Sequence, residues 1–200
     1  MTRTDAAARN APSAAWRGGW LQGAQRCASP HHGPRPAGAC IDLLVVHSIS
    51  LPPGSHDALA VDQLFCGTLD WDAHPYYQAM RGLQVSAHFF IERSGRLRQY
   101  VDCDRRAWHA GASHWRGRDG CNDDSIGVEL HGLEGERFED AQYRRLAWLV
   151  RALMQRYPLR FVAGHEHIAP GRKSDPGAGF DWQRLQGGFA GSGLYFPPHR

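Results

Sequence analysis

The stretch Gly164-His165-Glu166-His167-Ile168-Ala169-Pro170-Gly171-Arg172-Lys173-Ser174-Asp175-Pro176-Gly177 holds two histidines, two carboxylates, one lysine and three glycines within fourteen residues. Side-chain types that ligate metals and move protons are dense here. The lysine is unusual for this chain. Of 23 Lys+Arg residues, 22 are arginine, and Lys173 is the single lysine. Lysine offers a compact, rotatable point charge, where arginine offers a fixed planar fork. One ammonium beside Asp175 points to a site that wants a point charge next to a metal.

Working outward, Phe161-Val162-Ala163 reads as a short strand that delivers His165. Before it, Asp140 to Tyr157 is the clearest helix. Tyr143, Leu146, Ala147, Val150, Leu153, Met154 and Tyr157 share one face, Asp140 is placed to cap the start, and Pro158 stops it. Phe180 to Leu185 reads as a last short helix, and 187–200 as a Gly-rich tail with no regular pattern. Toward the N-terminus, Leu43-Leu44-Val45-Val46 is apolar on both faces, as in a central strand, and ends at His47. Asp57 to Phe65 has helical spacing. Ser86 to Ile91 and Leu97 to Val101, separated by Arg93-Ser94-Gly95, predict a β-hairpin, and Ile126 to Leu130 predicts another strand. Residues 27–40 are dense in Pro and Gly and read as irregular chain, and 1–15 as a low-complexity, flexible N-terminal segment. Strands and helices mix without strict alternation. That predicts an α+β fold, a central mixed β-sheet flanked by α-helices, in one domain over 16–186.

Composition narrows the function. Two hundred residues, 42% hydrophobic and 22% charged, suit one soluble globular domain. A net charge of +3 with no basic block argues against nucleic-acid binding. Cys27, Cys40, Cys66, Cys103 and Cys121 are dispersed, with no Cys-x-x-Cys pair. This argues against a disulfide framework and against a thiolate zinc site, and fits a reducing compartment. The first residues hold no apolar run long enough for a signal peptide, and nothing approaches the roughly 20 apolar residues of a membrane span. The expectation is a cytoplasmic monomer without membrane insertion.

His47 and His165 fall at strand ends and Asp175 in a loop. Two imidazoles and one carboxylate are the ligand pattern of catalytic zinc, which keeps a fourth position open. His165 and His167 compete for one place, since i and i+2 on a strand share a face. Glu129 sits in the apolar strand Ile126-Gly127-Val128-Glu129-Leu130, where a carboxylate is costly unless paired or used. It is either an outward-facing residue of an alternating strand or a general base with a raised pKa beside the metal.

Five ordered blocks carry a resemblance. They are Leu43-Leu44-Val45-Val46-His47, Val85-Ser86-Ala87-His88-Phe89-Phe90-Ile91, Ala107-Trp108-His109-Ala110-Gly111, Asn122 to Leu130, and Gly164-His165 through Lys173-Ser174-Asp175-Pro176-Gly177. Together they resemble the type-2 N-acetylmuramoyl-L-alanine amidases, which share their fold with the peptidoglycan recognition proteins. Ile49-Ser50-Leu51-Pro52-Pro53-Gly54, Ala73-His74-Pro75-Tyr76 and Ile168-Ala169-Pro170 resemble the branch of that family acting on 1,6-anhydro-muramyl peptides. The resemblance implies Zn2+ held by His47, His165 and Asp175, with Glu129 and Lys173 catalytic, and it selects His165 over His167. His88, Trp108 and His109 would then be structural or cleft-lining, and Tyr76 and Trp108 cleft walls for a sugar–peptide ligand. Two departures, Ser48 where relatives usually carry Asn, and His131 in a Glu129-Leu130-His131-Gly132 block usually reading Glu-Leu-Glu-Gly, bear on substrate contacts and leave the chemistry alone. The implied activity is hydrolysis of the amide between a muramyl lactyl group and L-alanine in peptidoglycan recycling, with a small muropeptide as partner. The rival expectations are a non-catalytic muropeptide recognition module, marked by loss of a ligand, and a cell-wall amidase acting on polymeric peptidoglycan.

Overall fold

The computed structural model describes residues 14–198. All but the last two residues of the expected flexible segment 1–15 lie outside this range. Six strands form the main sheet: β1 (Gln25–Arg26), β2 (Leu43–Ile49), β3 (Phe89–Ile91), β4 (Leu97–Gln99), β5 (Ser125–His131) and β6 (Phe161–Gly164). Their spatial order is β6-β2-β5-β3-β4-β1. The pairs β6–β2, β2–β5, β5–β3 and β4–β1 are parallel, and β3–β4 is antiparallel. The helices are α1 (Leu59–Cys66), α2 (Pro75–Gln78), α3 (Asp140–Arg156), α4 (His165–Ile168) and α5 (Trp182–Gly187). A mixed sheet with helices packed on it is the expected α+β class.

Strand alternation sorts the core into faces. Leu44, Val46, Ile126, Val128 and Leu130 pack with Leu146, Leu149, Val150 and Leu153 of α3 in the largest apolar cluster. The intervening residues Leu43 and Val45 join Ala110, Cys121, Ala163 and Ile168 on the opposite face. A third cluster places Val61, Leu64 and Phe65 of α1 with Phe90 and Tyr100. Covering both faces of β2 explains why its sequence is continuously apolar until His47.

Three local readings need correction. Helix α3 is capped by Glu139, whose backbone is extended. Its N–H donates to the Gln142 side-chain oxygen at 2.9 Å. Asp140 is already helical and instead accepts from Arg184 of α5 at 2.7 Å. The hairpin ladder is shorter than expected, because the Ser86 N–H donates to the Trp108 carbonyl and the His88 N–H to that of Gly127. The Pro/Gly-rich stretch 27–40 is not irregular throughout, since His32–Gly33 pairs antiparallel with Arg106–Ala107, and Arg35 beside it is heavily used. Its guanidinium donates to the carbonyls of Cys103, Asn122, Asp123 and Ser125, tying down the turn that leads into β5.

The Gly-rich segment after α5 contributes to the core. Phe189 and Phe196 are buried in the α3-side cluster. The Val162 N–H donates to the Tyr195 carbonyl at 3.0 Å and the Tyr195 N–H to the Arg160 carbonyl at 2.9 Å, which covers the free edge of β6. Truncating a buried phenylalanine typically costs about 3–5 kcal/mol. Phe196→Ala should therefore lower stability by about 3 kcal/mol in urea unfolding at constant m, and a change below about 0.5 kcal/mol would show that this segment is dispensable.

Candidate metal centre

The pairing of β2 with β5 and β6 decides where chemistry gathers. Glu129 lies directly opposite His47 across the β5–β2 ladder, and Gly164, the last residue of β6, opposite Val46. In open sheets with parallel strands, ligands sit beyond the carboxyl ends of the strands. His47, Glu129 and His165 all fall there, on the face away from α3.

Three donor atoms converge. His47 Nδ1 is 3.0 Å from His165 Nδ1 and 3.0 Å from Asp175 Oδ2, and His165 Nδ1 is 3.3 Å from the same oxygen. Protons cannot satisfy this triangle. If both rings donate to the carboxylate, the two nitrogens face each other as donors along the remaining edge. A cation at the centre satisfies all three. Zinc with arms of 2.0–2.1 Å in tetrahedral geometry places its donors about 3.3 Å apart, so the spacing and the hard, thiolate-free donor set both fit. Among the described residues, this is the one group of three or more His, Cys, Asp or Glu residues with such convergence.

The tie between His165 and His167 is broken by backbone geometry. Strand β6 ends at Gly164, and His165–Ile168 forms a helical turn, so residues 165 and 167 no longer share a face. His167 Nδ1 accepts from the Gly164 N–H at 3.0 Å and thereby caps the turn. Gly164 is required by crowding, since a Cβ there would lie 2.8 Å from Pro176 and 3.0 Å from His167. Asp175 is held by its own backbone, whose carbonyl accepts from the Glu166 N–H at 2.9 Å.

Charge follows geometry. Burial acts to raise the Asp175 carboxyl, but hydrogen bonds from His165 and His47 outweigh it and hold the group far below the usual carboxylate range. Burial lowers His47, against the pull of Asp175, and burial with the neighbouring histidines lowers His109 well below the usual imidazole value. Glu129 is pushed well up, first by burial and then by the Asp175 charge, with Lys173 opposing. Its Oε2 is buried without a hydrogen-bond partner among the described residues.

Beside the triangle lies a cleft of about 470 Å³ whose lining includes Ser48, Tyr76, Trp108, Glu129, Lys173 and Asp175. The expected base, the lone lysine and the three expected substrate contacts thus meet at one cleft. Trp108 is half-buried and stacks on His31 at 6.1 Å, whereas Tyr76 remains 39% exposed at the start of α2. Ser48 Oγ is buried with no partner among the described residues. His88 is fully buried and structural: Nδ1 accepts from the Gly127 N–H, and Nε2 meets the Arg105 carbonyl. Sequence reasoning passed over three contributors. Leu83 and Leu133 are exposed leucines at the cleft, and an isolated leucine in a loop gives no signal. Arg172 donates to the Ala110 and Ala112 carbonyls, clamping the Asp175 loop to the segment after Trp108. Its position next to the lone lysine was the available clue.

Comparison with known proteins accords with this geometry. The N-acetylmuramoyl-L-alanine amidase family model matches residues 37–178, and the chain belongs to that family. The 1,6-anhydro-N-acetylmuramyl-L-alanine amidase AmpD of Escherichia coli (strain K12) is 51% identical over 170 residues, covering 84% of this chain and 93% of that protein. A crystal structure of a selenomethionine AmpD derivative superposes with a TM-score of 0.83 at 48% identity, covering 87% of this chain and 98% of that one. The amidase AmiD from E. coli, solved with the substrate anhydro-N-acetylmuramic acid-L-Ala-D-gamma-Glu-L-Lys, gives 0.55 at 30% identity, covering 77% of this chain and 60% of that one.

Two outcomes are expected. His165→Ala should abolish stoichiometric zinc uptake measured by metal analysis after dialysis, while His167→Ala should retain it; the reverse pattern would refute this ligand set. Glu129→Gln should stabilise the metal-free protein. A carboxyl raised on folding makes the folded state bind more protons than the unfolded one, so stability falls as pH rises above about 4.3. The glutamine variant should therefore melt at a higher temperature than the parent at pH 8, with a smaller difference at pH 5. A lower Tm at pH 8 would show that the buried carboxylate is paired.

Proposed function

We propose that this protein is a zinc-dependent, monomeric, cytoplasmic amidase that cleaves the bond between the lactyl carbonyl of a 1,6-anhydro-N-acetylmuramyl peptide and its L-alanine. The observation that carries the reading is the closed Nδ1–Nδ1–Oδ2 triangle with a buried, high-pKa Glu129 on the adjoining strand position. Family membership and the names of the similar amidases support the substrate class. Among the described residues, no helix is long and apolar enough to cross a membrane.

His47, His165 and Asp175 would hold the zinc. When bound, it supplies Lewis acidity, polarising a carbonyl oxygen and lowering the pKa of water toward about 7. Glu129 then does the proton work. Its raised pKa suits a base that accepts a proton from attacking water near neutrality and returns it to the departing alanine nitrogen. Lys173, at the cleft on the same loop as Asp175, supplies positive charge to the oxygen that becomes negative as the carbonyl is attacked. Tyr76, Trp108, Leu83 and Leu133 offer apolar wall to the sugar ring and peptide stem, with Ser48 as an unspent hydrogen-bonding group.

Glu129→Ala and Lys173→Arg should both retain zinc and lose on the order of 100-fold or more in kcat, from the usual size of general-base and oxyanion contributions. The substrate assignment is tested by mass spectrometry of products. Free stem peptide should appear from anhydro-muropeptides far faster than from polymeric peptidoglycan, and equal release from the polymer would move the enzyme to the cell wall. Near-normal turnover by Glu129→Ala would overturn the mechanism.

A further inference from the structure

The polar residues of the block Asn122-Asp123-Asp124-Ser125-Ile126-Gly127 lie outside both the ligand triangle and the cleft lining. In the structure the block surrounds His109, which stands directly behind the metal-facing ring of His47. His47 Nε2 is 3.0 Å from His109 Nδ1. His109 Nε2 is 3.2 Å from Ser125 Oγ. Ser125 Oγ in turn makes a short hydrogen bond to the carbonyl of Cys121.

Counting protons gives this chain a direction. A backbone carbonyl only accepts, so the single Ser125 hydroxyl proton goes to Cys121. Ser125 Oγ must then accept, and His109 Nε2 carries a hydrogen. A neutral imidazole has one hydrogen, so His109 Nδ1 is an acceptor, and His47 Nε2–H donates to it. That leaves the lone pair of His47 on Nδ1, facing His165 and Asp175. The opposite polarity would put a hydrogen on Nδ1, inside the triangle, and strip the Cys121 carbonyl of its donor. The second histidine needs no relay, since His165 Nε2 lies 3.1 Å from the Ala110 carbonyl.

The block also fixes where His109 stands. Asn122 Oδ1 accepts from the backbone N–H groups of His109 at 3.0 Å and Ala110 at 2.8 Å. The imidazole occupies the space that a side chain on residue 127 would need. A Cβ on Gly127 would come within 2.5–2.7 Å of three atoms of the His109 ring. One acceptor, one hydroxyl and one missing side chain therefore place, orient and make room for the same ring.

We propose that His109 is a positioning residue for the metal ligand His47, with Ser125 and the Cys121 carbonyl setting its tautomer and Gly127 leaving room for it. The inference rests on the zinc reading above. Partners of this kind typically alter metal affinity by about 10–100-fold. Asn and Leu have nearly the same shape, but only Asn keeps an acceptor where His109 Nδ1 lies. Zinc dissociation constants of the full chain, measured by competition with a chromophoric chelator, should weaken at least tenfold in His109→Leu and Gly127→Ala. His109→Asn should stay within about threefold of the parent protein. Long-range 1H–15N spectra of the unmutated, zinc-loaded protein should show His109 protonated on Nε2 and His47 protonated on Nε2. A parent protein that fails to bind zinc would overturn the metal reading and this inference with it. Zinc bound normally by His109→Leu, equal losses in the Asn and Leu variants, or an Nδ1-protonated His109 would overturn the positioning role alone. The spectra require no variant to fold.

Discussion

The parallel pairing of Leu43–Ile49 with strands on both of its sides is the constraint on which this structure depends. It brings the carboxyl ends of three strands together, and each end delivers one polar group: His47, Glu129 and His165. Register is decisive, because side chains alternate between faces. A slip by one residue would turn His47 toward the α3 cluster and Val46 toward the cleft. The apolar residues of β2 and β5 hold that register, since Leu44, Val46, Ile126, Val128 and Leu130 fill the α3 face and Leu43 and Val45 the opposite one. Catalytic geometry is thus a by-product of how the core is packed.

That arrangement leaves polar groups in places where burial is expensive. Glu129 is kept off water with an unsatisfied oxygen, and Ser48 has an unpartnered hydroxyl. Both line the cleft, where a substrate brings its own polar atoms. Elsewhere the interior is careful with its charges. Arg35 is turned on four carbonyls and needs no carboxylate, and its pKa is lowered by the burial it endures. His88 is buried with both ring nitrogens in hydrogen-bond contact and is held neutral down to about pH 3 by burial and by Arg35. Glu129 Oε2 and Ser48 Oγ are the buried unpartnered atoms that line the cleft, while others, such as Trp16 Nε1 and Trp115 Nε1, lie away from it.

How much of this was legible depended on the range of the interaction involved. The long helix followed from a periodicity of 3.6, the central strand from a continuous apolar run, and the hairpin from two runs around Arg93-Ser94-Gly95, all of them local properties. The errors were local contests that neighbours decided. Asp140 looked like a cap, but the extended residue was Glu139, and Asp140 was drawn to Arg184 from a helix more than forty residues away. The Gly-rich segment after Gly187 lacked any pattern, because what places Phe189, Tyr195 and Phe196 is a sheet edge and a core built by other residues.

The sequence by itself determined the kinds of groups available and their rarity. It held two imidazoles and a carboxylate without clustered thiols, a carboxylate in an apolar strand, and one lysine among arginines. Resemblance to a family then assigned roles to them. Only the tertiary structure decided why His165 rather than His167 is turned inward, since that rests on where β6 stops and helix α4 begins. It alone decided what the Asn122–Gly127 block does, because its residues act on His109, which lies thirteen residues before the block begins, and through it on His47, a further 62 residues back. The physical reason is the same in each case. Propensity and composition are summed along the chain, whereas hydrogen-bond direction and steric room are settled between atoms that only folding brings within 3 Å.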